Sequence, residues 1–169
     1  MVKAKPIDEA TAQSLKDNLR YDPDTGLFWW KFPFHTRDIS KPVGSLSNQG
    51  YLIISFKGRN YRLHRLSYLL MGLSVPEFVD HINGVKTDNR WKNLRPATKS
   101  QNNCNTSVSS RNTSGFKGVY KASKSGKWYS QIRFNGQIHH LGSFDAPEEA
   151  HEAYKRAADK YHGEFKNYG

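Results

Sequence analysis

The stretch from Lys127 to Tyr161 admits few folds. Two β-rich runs, KWYSQIRF and QIHHLGSF, are separated by Asn135-Gly136. That dipeptide tolerates the left-handed backbone a two-residue hairpin turn needs. A third alternating run, FKGVYKAS, lies just before them. After them Asp145 can cap a helix, Pro147 suits its first turn, and Glu148 completes a capping box. Ala150, Ala153, Tyr154, Ala157, Ala158 and Tyr161 fall at i, i+3, i+4, i+7, i+8 and i+11, one continuous apolar stripe. Gly163 can end the helix. Three antiparallel strands packed on one helix make a small α+β module over residues 115–169.

The rest of the chain reads as a second body. Ile7 to Leu19 suits a short, weakly amphipathic helix, and YDPDTG (Tyr21 to Gly26) a turn. LFWWKF follows as an aromatic strand. GYLIISFKGRNYRLHRL reads as a hairpin around Lys57-Gly58-Arg59-Asn60. HRLSYLLMG then suits a short helix with Gly72 behind it. Val79 to His81 looks like a strand end, Asn83-Gly84 opens a loop to about Lys92, and Leu94 to Ala97 can pair back. Thr98, with Gln101 three residues on, signs a capping box for a helix over roughly Lys99 to Asn105. NTSVSSRNTSG (Asn105 to Gly115) has almost nothing to bury and reads as linker. The expected domains are therefore 1–104 and 115–169, joined by 105–114.

Charge is unevenly spread. Residues 1–55 carry 7 basic and 6 acidic side chains, residues 56–114 carry 10 and 3, and residues 115–169 carry 9 and 6. A basic excess focused in the middle suits a polyanionic partner, most simply nucleic acid. Cys104 is the lone cysteine, which excludes an internal disulfide and a Cys-rich zinc framework. MVKAKPIDEATAQ has no apolar segment of a secretory signal, and no apolar run is long enough to span a membrane. A reducing cytosol fits.

The basic middle contains VDHINGVKTDNRWKNL, from Val79 to Leu94. An Asp-His pair near Asn-Gly is ordinarily a turn, so the stretch reads as a loop or as a metal site. Phosphodiester hydrolysis needs an activated water and a counter-charge. A neutral His can take the proton from water. Asp and Asn supply hard oxygens suited to magnesium, with water and phosphate filling the remaining positions. Asp80 and His81 alternate in direction on a strand end. One can hold metal while the other faces the nucleophile, and the following helix can return an Asn oxygen to the same ion.

VDHINGVKTDNRWKNLRPATKSQNN resembles the HNH nuclease motif (the ββα-metal fold) in its His-Asn-Asn form. It is most similar to HNH homing endonucleases of phages and mobile introns, and YRLHRLSYLLMG resembles the segment that leads into the motif there. The resemblance implies His81 as general base, Asp80 as a metal ligand, and Asn93 as the residue that braces the loop and orients His81. Asn102 would be the second ligand, with Asn103 a competing register, since neighbours on a helix point differently. Asn89 reads as a loop hydrogen-bonder and Trp91 as packing. His64, between Arg62 and Arg65, reads as structural, with a phosphate contact secondary.

The segment from Gly115 resembles an AP2/ERF DNA-binding domain, through Lys-Gly-Val, Gly-Lys-Trp, Ile-Arg, Leu-Gly-Ser-Phe and Glu-Glu-Ala. The resemblance implies a sheet that enters the major groove. By position, Lys117, Tyr120, Trp128, Gln131, Arg133 and His140 match the reading face. For Trp128, packing against the helix competes with that role. Lys117, Tyr120 and His140 stand where plant members often have Arg or Trp, so the target sequence does not carry over.

Together these readings imply a metal-dependent, sequence-directed DNA endonuclease acting on double-stranded DNA, with magnesium, or alternatively manganese, as cofactor. One active site per chain favours a monomer nicking one strand in the cytoplasm of a bacterial host. The competing reading is a non-catalytic DNA-binding regulator with a relic HNH segment. Residues 1–55 have no assigned role beyond added strands or a DNA contact.

Overall fold

The computed structural model describes residues 6–33 and 38–169. Residues 1–5, which bear on the signal-peptide reading, lie outside them. The chain divides into two compact units, Met1–Ala97 and Thr98–Gly169. The division falls before the helix that the sequence groups with the first domain.

In the first unit, α1 (Glu9–Asn18) starts at Asp8, whose carboxylate accepts the Thr11 N–H. It runs into β1 (Leu19–Tyr21), which pairs antiparallel with β2 (Phe28–Trp30) around the YDPDTG turn. Leu19, where the expected helix ends, opens a strand instead, because Trp30 pairs with it across the turn. β3 (Ser45–Leu46), β4 (Leu52–Phe56) and β5 (Arg59–Arg62) form a meander. Its hairpin turn is only Lys57-Gly58, at φ 48° and 72°. α2 (Leu63–Leu70) follows and is buried on most sides. Leu15, Leu19, Phe28, Ile54, Phe56, Tyr61, Leu63, Leu66 and Leu69 form the core. The chain ends this unit with β6 (Phe78–His81) and β7 (Leu94–Ala97), paired in antiparallel register. Val79 and Leu94 pack on Tyr68 of α2, so the hairpin is seated on a helix from its apolar side.

The second unit opens with α3 (Lys99–Cys104), and both halves of the Thr98–Gln101 capping box are made. Residues 105–114 contain neither helix nor strand, but they are not simply solvated. Asn105 is buried and accepts from Asn167 Nδ2, and Asn112 Nδ2 donates to the Phe116 carbonyl. Next come β8 (Val119–Lys121), β9 (Trp128–Phe134) and β10 (Gln137–Phe144), in sheet order β10-β9-β8. Asn135 and Gly136 take φ 51° and 79°, both left-handed, as the two-residue turn requires.

α4 (Pro147–His162) packs on this sheet through Ile132, Tyr154, Ala157 and Ala158. The expected cap is displaced by one residue. Ala146 occupies the N-cap with no side-chain bond, and Asp145 instead lies 3.3 Å from Lys127 Nζ. Gly118 sits at φ +74°, where a Cβ would stand 2.2 Å from the Tyr154 ring; the strand meets the helix there without room for a side chain. No helix among the described residues is long and apolar enough to cross a membrane.

Candidate active site

β6 carries Asp80 and His81 side by side, both 4% exposed. Their cross-strand partners are Arg95 and Leu94. Arg95 Nε and Nη2 lie 2.8 and 2.7 Å from Asp80 Oδ2, so one carboxylate oxygen takes both guanidinium contacts. A hard carboxylate fixed in direction by a neighbouring cation is chemically suited to a divalent metal. Among the described residues, no group of three or more His, Cys, Asp or Glu could hold such an ion by itself. A resident cation would therefore depend on amide, water or phosphate oxygens as well.

His81 sits in a tight aromatic setting. Its ring centroid is 4.9 Å from that of His64, edge-on, and 6.0 Å from Tyr51. Burial pushes the His81 pKa below 6.5, opposed in part by its bond to Asn89. His64 is held well below 6.5, chiefly by burial. Both imidazoles are thus neutral at ordinary pH, as proton acceptors must be.

The loop from Ile82 to Asn93 is braced from within. Asn93 Oδ1 accepts the Asn83 N–H at 3.0 Å. Its Nδ2 donates to Asn83 Oδ1 at 2.9 Å and to the Asp88 carbonyl at 2.8 Å. Asp88 is itself clasped by Arg90 and Asn83, and the Arg90 hydrogen bond brings its pKa down to about 2. Asn93 thus ties the end of the loop to its start, at Asn83, and to Asp88. The side-chain bond to His81 comes from elsewhere: Asn89 Oδ1 lies 3.1 Å from His81 Nε2. Sequence reading gave Asn89 only a generic loop role. Its burial, 1% exposed among polar neighbours, is the signal that sequence could not supply.

Basic side chains flank this pocket. Arg62 lies over the Tyr51 ring at 4.6 Å and Lys86 Nζ at 5.1 Å from it. Lys86 also donates to the Gln49 carbonyl. Arg65, by contrast, is spent on the carbonyls of Pro76 and Glu77.

Of the remaining predicted residues, Asn102 is on α3 in the second unit, half-buried, while Asn103 is exposed. On the three-stranded sheet, cross-strand partners share a face. Tyr120 pairs with Tyr129, Gln131 with His140, and Arg133 with Ile138. This face is not buried under α4; Val119, Ser130 and Ile132 are. Trp128, three residues from Gln131, falls on the opposite parity and pairs with Lys121 and Phe144. Tyr129 holds the place expected of Trp128, stacked on Tyr120 at 5.7 Å. Lys117 also departs from expectation. Its amine donates to the carbonyls of Cys104 and Thr106 at 2.7 and 2.5 Å, and burial brings its pKa down to about 8.

The HNH endonuclease family model matches residues 61–104. Over 130 residues the chain is 35% identical to an uncharacterised HNH endonuclease of Acanthamoeba polyphaga mimivirus, an alignment that takes in 75% of this chain and 66% of that protein. It is 31% identical over 88 residues to Protein 3.8 of Escherichia phage T7, covering 52% of this chain and 72% of that one. The chain thus spans just under two thirds of the length of its mimivirus relative. No solved structure matches it.

Proposed function

The chain belongs to the HNH endonuclease family, and from that premise we propose a metal-dependent, sequence-directed DNA endonuclease with His81 as general base. One observation carries the reading: a buried, neutral imidazole beside a fixed carboxylate, hydrogen-bonded through Nε2 to Asn89. In this reading His81 Nδ1 takes the proton from the water that attacks phosphorus. Asp80 and Asn102 would hold the cation, through a carboxylate and an amide oxygen of the hard type magnesium or manganese takes. Such a cation would supply counter-charge to the phosphodiester being cut. Asn93 holds the loop closed so that His81 keeps its place.

The second unit anchors the DNA. Its sheet, with the helix on one face, is compatible with an AP2/ERF-like reader. The face bearing Tyr120, Tyr129, Gln131, Arg133 and His140 is the one that meets base edges. Lys117 and Trp128 are not part of that surface in this reading. A single catalytic centre per chain makes the product a nick by a monomer.

The test is plasmid cleavage with magnesium, manganese or EDTA, comparing wild type with His81→Ala. The expected result is metal-dependent nicking that His81→Ala abolishes while DNA binding survives. Cleavage by His81→Ala at the wild-type rate sinks the role of His81. Binding with no cleavage in either metal makes the protein a non-catalytic regulator instead.

A further inference from the structure

The turn between β1 and β2 grips the loop that carries Asn89. Tyr21 Oη donates to the Asn89 carbonyl at 2.7 Å, across 68 residues of chain. The Trp91 N–H donates to the Pro23 carbonyl at 2.8 Å. Gly26 has φ +74°, and a Cβ there would stand 2.4 Å from Arg90 N and 2.5 Å from the Asn89 carbonyl carbon. One turn thus fixes three consecutive residues, Asn89, Arg90 and Trp91, and a glycine is needed for it to come so close.

Asn89 links that turn to the site. Its backbone is held by Tyr21, and its side chain reaches His81. The other amide atom, Nδ2, is buried with no hydrogen-bond partner. An orphaned buried polar atom asks for a reason. The carboxamide is oriented to serve His81 at the expense of its own satisfaction. An amide oxygen only accepts, so the bond selects the neutral tautomer with hydrogen on Nε2 and leaves Nδ1 as the basic nitrogen.

We infer that the Tyr21–Gly26 turn, acting through Asn89, is the positioning element for the His81 base. This assigns a role to a segment outside residues 61–104, and it rests on His81 being that base. Tyr21 and Asn89 are positioning residues; neither touches the reacting atoms. The half-buried Tyr21 hydroxyl has its pKa pushed up by burial and stays a donor across the working pH range.

The experiment measures single-turnover nicking of supercoiled plasmid in magnesium, with binding to the same plasmid, linearised, in EDTA. Asn89→Ala should slow nicking about 10- to 100-fold, the usual cost of losing a partner that orients a working side chain. Tyr21→Phe, which removes one hydroxyl, should slow it about fivefold. Both should bind DNA as wild type does. Asn89→Asp keeps the acceptor and should retain more rate than Asn89→Ala. Nitrogen NMR of the His81 ring should report the Nε2-protonated tautomer in wild type and a mixture in Asn89→Ala. Should Asn89→Ala fail to fold, Tyr21→Phe and Asn89→Asp decide. Wild-type nicking by Asn89→Ala or Tyr21→Phe, with His81→Ala inactive, overturns the positioning role and leaves the base intact. Wild-type nicking by His81→Ala overturns the base itself.

Discussion

Asp80 and Arg95 are register partners on β6 and β7, and the Arg95 guanidinium meets a single oxygen of the Asp80 carboxylate with two nitrogens. The side chains are 5% and 14% exposed, so neither charge is well solvated. Removing one member of such a pair leaves the other's buried charge less well compensated. Arg95→Leu should therefore destabilise the first unit by about 3–5 kcal/mol. Urea unfolding followed by Trp fluorescence measures this; a loss within about 0.5 kcal/mol, as at an ordinary surface site, would mean that water already screens the pair.

The paired imidazoles predict acid sensitivity. His64 and His81 both have folded pKa values below 6.5, the first far below. Between its folded value and 6.5, each site holds more protons in the unfolded chain. The stabilising contribution is complete above 6.5 and is lost as pH falls through the folded values. The slope approaches about 1.4 kcal/mol per pH unit for each such site. Urea midpoints at about pH 7.5 and about pH 5 should show this loss, and His64→Phe should remove the larger share of it. An equal acid shift in His64→Phe would place the sensitivity elsewhere.

Arg133 and Lys117 should behave oppositely on DNA. Arg133 is exposed on the sheet face, whereas the Lys117 amine is engaged by two backbone carbonyls. A lysine or arginine that meets phosphate releases a counterion, so its loss lowers the salt slope of binding by about 1. Arg133→Ala should cost about 1–3 kcal/mol of binding and relax discrimination at the base it meets, and Lys117→Met should lower neither affinity nor the salt slope. Lys117→Met should instead loosen the Cys104–Thr106 backbone, seen as faster amide exchange there. A salt slope lowered by Lys117→Met would return that residue to the DNA interface.

Tyr129 and Trp128 give a second contrast, set by strand parity. Tyr129 shares its face with Tyr120, and Trp128 does not. Tyr129→Ala should cost about tenfold in DNA affinity, the scale of an aromatic contact residue. Trp128→Phe should leave affinity unchanged. The reverse outcome in a gel-shift titration would mean that DNA is read from the other side of the sheet.

The elements that position the site are legible in the sequence where their signals are local. Thr98 and Gln101 announce α3 because a capping box is made within four residues, and Asn135-Gly136 fixes its turn by backbone preference alone. Asp80, His81 and Asn93 stand out by type and spacing. What escapes is set by partners distant in sequence. Asn89 looks like its neighbours until the loop path turns it toward His81. Lys117 looks like any basic residue until the chain around Cys104 folds onto it. Trp128 is set apart by alternation along β9, which puts it on the opposite face from Tyr129 and Gln131. Asp145 has the chemistry of a cap, but the helix begins one residue later, at the break set by Pro147.

The bond between Tyr21 and Asn89 joins residues made far apart in time. A chain synthesised from its N-terminus completes the β1–β2 turn long before Asn89 leaves the ribosome. Closing so long a loop costs entropy and slows folding. In a chain that has not yet closed this bond, the base is present but not aimed. Full cutting speed waits for the loop of residues 82–93 to be made and to seat on a turn that is already in place.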